Sequence, residues 1–208
     1  MAINIDYEMD GVTSGLVWVD SLYLGTDPRV TALEGEGFRV ASAEETARLR
    51  VNKGVDYKLL RERSIFGLGN FVKEGFLYKP AEKRVFFTKK SPILRAPGDL
   101  RVLLEEAFAD SVEIKERTIP TNRFGETDET AFLFGDVADD YGRFLRDVTG
   151  LRQISISPAN VEERSSVISQ VWLDKVITGS GISDRRNLFD GNAYLRGIKY
   201  TDTAGGKN

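Results

Sequence analysis

Between residues 70 and 90 the chain reads NFVKEGFLYKPAEKRVFFTKK. Phe71 to Tyr78 and Arg84 to Lys89 are two runs of strand-forming residues, and Lys79-Pro80-Ala81-Glu82-Lys83 between them is a turn. Proline suits that tip and would break a ladder inside a central strand. The segment is therefore read as a β-hairpin. Its five aromatics, Phe71, Phe76, Tyr78, Phe86 and Phe87, are more than one small core face easily uses. They interleave with Lys73, Lys79, Lys83, Arg84, Lys89 and Lys90. Two readings follow. Either the aromatics point into the core and the cations form a solvated face, or the hairpin is a platform on which bases stack while the cations meet phosphates.

Charge segregation sharpens the question. Residues 1–47 carry nine acids and two bases, and residues 48–101 carry fourteen bases and five acids. Residues 102–150 return to twelve acids and five bases, and 151–208 hold eight bases and six acids, for a net charge of −3. A basic middle between acidic flanks suits an anionic ligand such as nucleic acid. It equally suits pairing with acidic surfaces, within the fold or on neighbouring subunits, and that pairing is the preferred reading.

The chain has no cysteine and no histidine. Thiol nucleophiles, disulfides, Cys/His zinc sites and Ser-His-Asp catalysis are excluded. Proton chemistry near neutral pH would need a carboxylate, lysine or tyrosine with a shifted pKa. A metal would have to be a hard, oxygen-bound ion. This is a narrow toolkit for an enzyme and no handicap for a protein that packs and binds.

Ile3, Ile5 and Tyr7 alternate as in a strand that Gly11 should end, and Val12 to Leu24 is β-rich, with Gly15 as a bulge. FRVA (38–41) is a short strand. Ser42-Ala43-Glu44-Glu45 matches a capping box and opens a helix, and Asp56 caps a second helix through Arg63. Asp99 caps a helix whose apolar face is Leu100, Leu103, Leu104, Ala107 and Phe108. Residues 111–118 alternate as a strand, 119–130 form a loop with a solvated acidic stretch at 126–129, and 131–134 form a buried strand. Asp136 caps a helix with Val137, Tyr141, Phe144, Leu145 and Val148 on one face, stopped by Gly150. Residues 151–157 are a strand. Val161, Ile168, Trp172 and Val176 have helical spacing, and Tyr194 to Tyr200 is a strand.

Glu113-Ile114-Lys115, with Asp99 or Asp110 upstream, resembles the acidic-x-lysine element of the PD-(D/E)xK nucleases. The resemblance implies two carboxylates holding Mg²⁺ and a lysine orienting water. It covers three residues. The upstream acids depart from the family pattern, which places its other acid on an adjacent strand.

The elements mix without regular βαβ alternation, which points to α+β: a mixed or antiparallel sheet with about four or five helices. The expected organisation is one globular domain over 1–190, with long loops, and a C-terminal strand and arm over 191–208. The expected function is a non-enzymatic structural or assembly subunit, for example of a virus or phage particle. Its partners would be copies of itself or other subunits, contacted through Lys73, Phe76, Tyr78, Lys83, Arg84, Phe87, Lys89 and Lys90 and the C-terminal arm. The alternative is a nucleic-acid-binding protein using the same residues, and a metal-dependent nuclease is third. No cofactor, secretion signal or membrane segment is expected, and the expected location is the cytoplasm or a virion.

Overall fold

The computed structural model describes residues 5–13, 16–22, 35, 37–53, 70–90, 100–158, 167–173, 181–184 and 194–200. Strand β4 (Asn70–Lys79) is the spine of the sheet. On one flank it pairs antiparallel with β9 (Val167–Leu173). On the other flank its first residues pair parallel with β11 (Tyr194–Tyr200), and its second half pairs antiparallel with β5 (Arg84–Thr88). The sheet forks there.

Beyond β11 lie β2 (Leu16–Leu22) and then β1 (Ile5–Thr13), with β3 (Arg39–Val40) also against β11. Beyond β5 lies β6 (Ser111–Glu113). On the far side of β9 the order is β10 (Gly181–Asp184), β8 (Gln153–Ser157) and β7 (Thr118–Pro120). Pairing is antiparallel except at β4–β11 and β8–β10. The chain is α+β, with a mixed sheet and helices on both faces of the hairpin.

The hairpin forms as its sequence indicates. Phe76 faces Phe87 across the ladder and Tyr78 faces Val85. Pro80–Glu82 makes a 3-10 turn, and Lys83 closes it in the left-handed region at φ 54°. Its N–H donates to the Pro80 carbonyl at 3.1 Å. One irregularity interrupts the β4–β9 register between Phe71 and Gly75. A Cβ at Gly75 would lie 2.9 Å from the Lys90 carbonyl oxygen and 3.0 Å from that of Ser169, so only glycine lets three strands approach here.

Helix α1 (Ala43–Lys53) begins with the reciprocal bonds that its sequence announces. The Glu45 N–H donates to Ser42 Oγ at 3.1 Å, and the Ser42 N–H donates to Glu45 Oε2 at 2.9 Å. Arg39 also grips the Glu45 carboxylate. Burial works to raise the Glu45 pKa, but the bonds from Arg39 and Ser42 outweigh it and hold the carboxyl below its usual range. Helix α4 (Ala138–Asp147) buries Tyr141, Phe144 and Leu145, with Val137 just ahead of it and Val148 half-buried behind, which is the expected face. Asp136 lies in a 3-10 turn, Gly135–Val137, that precedes the helix. Helix α2 (Leu100–Ala109) brings Leu104, Ala107 and Phe108 onto the sheet.

Five expectations are corrected. Residues 111–118 are not one strand: β6 ends at Glu113 beside β5, and Thr118 begins β7, which pairs with β8. Residues 119–134 are not a loop followed by a strand: a 3-10 turn at Thr121–Arg123 leads to helix α3 (Asp128–Phe134). Thr127 caps α3 by accepting the Thr130 N–H, and Asp128 and Glu129 complement its dipole. Glu129 is buried and not solvated; its Oε1 accepts the N–H groups of Lys115 at 2.8 Å and Glu116 at 3.0 Å. The helical spacing around Ile168 and Trp172 is really strand β9. Flanked by β4 along its length and by β10 at its end, it buries the successive residues Val171, Trp172 and Leu173, so both faces are interior there and the two-residue alternation of a half-exposed strand is lost. Finally, β1 continues past Gly11 to Thr13, with a register shift between Met9 and Thr13.

The expected helix at 56–63 lies outside the described residues, as do Asp99 and positions 161 and 176. Among the described residues no helix is long and apolar enough to cross a membrane.

Replacing Ser42 with Ala should cost about 1 kcal/mol of unfolding free energy, the usual value of an N-cap. Urea denaturation at pH 7 measures it. Because the folded Glu45 pKa is depressed, its contribution is present above the unfolded carboxyl pKa and fades as pH falls through the folded one. The Ser42→Ala deficit should therefore shrink in acid.

Candidate interface at the 70–90 hairpin

The structure places the eight sequence-selected residues on the same hairpin but in two different environments. Phe76, Tyr78 and Phe87 are interior, exposed by 0%, 3% and 0%. Phe76 meets Phe87 with ring centroids 5.0 Å apart and Tyr78 at 6.3 Å. Together with Val72 they form one face, packed against Ala43, Ala47 and Leu49 of α1, Leu133 and Phe134 of α3, and Tyr141 and Leu145 of α4.

Leu77 and Phe86 form the opposite face, covered by α2 through Ala107, Leu104 and Phe108. The Phe86 and Phe108 rings meet edge to face at 5.7 Å. Phe71 packs edge to face on Trp172 of β9 at 4.9 Å. The surplus of aromatics is thus explained: the hairpin is buried on two sides and supplies two core faces. The expectation that Phe76, Tyr78 and Phe87 contact a partner or stack on bases is corrected, because no base can reach them.

The cations lie along the rim, and most are engaged. Arg84 makes a two-pronged contact with Glu113 on β6, at 2.9 Å from Nε and 2.6 Å from Nη2, and also reaches Glu82 at 3.0 Å. Its hydrogen bonds hold both the Glu113 and Glu82 carboxyls below their usual range. Lys79 pairs with Glu82 at 3.4 Å and sits over the Phe108 ring at 4.2 Å. Lys90 lies 3.8 Å from Glu106 of α2. Lys89 donates to the Phe132 carbonyl at 2.5 Å and lies 3.8 Å from Glu74. Lys83 is exposed at the turn and Lys73 is half-buried. Basic and acidic blocks of the sequence therefore meet within the fold.

Glu74 is the residue that sequence reasoning missed. Its side chain is wholly buried on β4, and its Oε2 accepts the Ala43 N–H at 2.8 Å at the start of α1. Beside it, Gln170 donates to the Val72 and Glu74 carbonyls, covering the break in the β4–β9 ladder. Burial pushes the Glu74 carboxyl above its usual range, against the opposing pull of Lys89. A lone glutamate in a run of strand formers was the available signal.

The Glu113-Ile114-Lys115 element does not assemble a metal centre. The Glu113 carboxylate is taken up by Arg84, Lys115 Nζ lies 3.4 Å from Asp128, and Asp110 is exposed just beyond the end of α2. Among the described residues no three carboxylates are grouped so as to hold a metal ion. The strand expected at Tyr194–Tyr200 is β11, paired with β2 along its length and with β4 and β3 on its other side, and the arm expected beyond it at 201–208 lies outside the described residues.

No protein-family model matches this chain, and no curated protein matches it. One solved structure does, described in the words "Accommodation of massive sequence variation in Nanoarchaeota by the C-type lectin fold". It superposes with a TM-score of 0.57 over 95% of this chain and 99% of that one, at 13% identity. The likeness is one of fold. It agrees with the α+β class and says nothing of ligand or partner.

Two alanine variants separate interior from rim. Phe87→Ala should cost about 3–5 kcal/mol through the cavity it leaves. Lys83→Ala should change stability by no more than about 0.5 kcal/mol. Denaturant unfolding of both checks the assignment.

Proposed function

We propose that this protein is a non-enzymatic assembly or binding module that presents its surface to neighbouring protein chains, as a subunit of a larger particle such as a virion would. The observation that carries the reading is the fate of the hairpin. Its aromatics are consumed by two core faces and most of its cations by intramolecular carboxylates. That arrangement makes a stiff scaffold. It removes the stacking surface on which single-strand binding depends and leaves Lys73 and Lys83 as thin provision for phosphates. Support also comes from the fold neighbour, whose description speaks of the C-type lectin fold accommodating massive sequence variation. A framework stabilised from within leaves its surface free to be fitted to a partner. Contacts with other chains then fall on the exposed turn around Glu82 and Lys83 and on the outer surfaces of α2 and α4, not on Phe76, Tyr78 or Phe87.

The test is light scattering across the size-exclusion peak of untagged full-length protein, with absorbance at 260 and 280 nm. A multimer free of nucleic acid is expected. A clean monomer at high concentration would overturn self-assembly. A peak rich in 260 nm absorbance that is lost at high salt would transfer the reading to nucleic acid.

A further inference from the structure

A carboxylate with no exposure needs partners for both oxygens. Glu74 has one good one: Oε2 accepts the Ala43 N–H at the first turn of α1. Oε1 accepts no hydrogen bond. Its nearest counter-charge is the Lys89 ammonium at 3.8 Å, beyond hydrogen-bond reach. Lys89 is itself one-third exposed and spends a donor on the Phe132 carbonyl of α3, with its Nζ 4.7 Å from the centre of the Phe132 ring. Four parts of the fold meet at this point: β4 carries the acid, the residue after β5 is the lysine, α1 gives the amide and α3 the carbonyl. The charged groups acting on Glu74 are Lys89, just after β5, and Lys73 from its own strand, and α1 contributes its N-terminal amide.

We propose that Glu74 and Lys89 form a proton-operated latch between the central hairpin and helix α3. With Glu74 ionised, its charge draws the Lys89 ammonium inward and holds it across the Phe132 carbonyl. When Glu74 takes up a proton, the proton sits on Oε1, the oxygen without a bond, while Oε2 keeps the Ala43 N–H. The cap of α1 survives. Lys89 loses its counter-charge, and its ammonium turns to the water it already partly meets. The tie from the hairpin to α3 is then released.

Burial is the largest influence on Glu74 and raises its pKa, so the switch falls above the ordinary carboxylate range. The linkage sign follows. A carboxyl whose folded pKa is raised adds stability that is complete below its unfolded pKa and is lost as pH rises through the folded one. Protonation of Glu74 therefore frees Lys89 without itself destabilising the fold.

The experiment is a pH titration of the full chain by NMR, following the Glu74 side-chain carboxyl carbon and the Lys89 side-chain resonances. Both should move with one shared midpoint above the ordinary glutamate value of about 4.3. In Glu74→Gln, which retains an acceptor for Ala43, the Lys89 transition should vanish. In Lys89→Met, the Glu74 midpoint should rise further, because an opposing cation is gone. Glu74 titrating in the ordinary range, Lys89 unmoved through the Glu74 transition, or an unchanged midpoint in Lys89→Met would each overturn the latch.

Discussion

Strand β4 is enclosed on both flanks by other strands and on both faces by helices. A strand in that position must be apolar on every side, and each polar atom it carries must find a partner inside the protein. Much of the local architecture follows from these demands. Phe76 and Tyr78 face the larger core, Leu77 faces α2, and Gly75 lets the Lys90 and Ser169 carbonyls approach. Glu74 breaks the apolar pattern and is accommodated by spending the first free amide of α1 on it. One buried acid thereby fixes where a helix begins relative to the sheet.

The cations of the hairpin show how far segregated charge in a sequence is from segregated charge on a surface. The basic block around 84 and the acidic block around 113 are distant in the chain, yet Arg84 and Glu113 lie side by side across β5 and β6. Lys90, just beyond β5, and Glu106 of α2 repeat the pattern. A surface of such pairs presents little net field, and individually exposed pairs add little to stability. Their effect is on register: a two-pronged arginine contact allows one alignment of neighbouring strands.

Sequence reasoning succeeded where a local signal was strong. The hairpin, the Ser42 capping box, the apolar face from Val137 to Val148 and the strand at 194–200 were all legible, because each is written in a few adjacent residues. It failed where tertiary burial overrode periodicity. At the end of β9, Val171, Trp172 and Leu173 are buried in succession, and the helical interval between Ile168 and Trp172 is a coincidence within a strand. At α3, the Thr127 cap was hidden in a stretch read as a loop, and Leu133 and Phe134 were read as strand. Within the hairpin, burial divides the selected residues, with the rings of Phe76, Tyr78 and Phe87 interior and the cations along the rim. Composition revealed many aromatics and cations, but only the second helical layer, α2, explains why a hairpin could hide so many rings.

The path of β11 carries one more implication, for the order of events in folding. Residues 194–200 are hydrogen-bonded along their whole length to residues 16–22, and β1 reaches the sheet through that same β2. On the ribosome, the segment 5–22 emerges long before its sheet partner exists. Until residues 194–200 have been made, those two early strands have, among the described residues, no further strand of the sheet to pair with. A two-stranded ribbon is marginal by itself, and closing a loop that spans most of the chain is slow. The hairpin, α3 and α4, built from nearer neighbours, are placed to consolidate first, with the early strands docking as the closing step of folding.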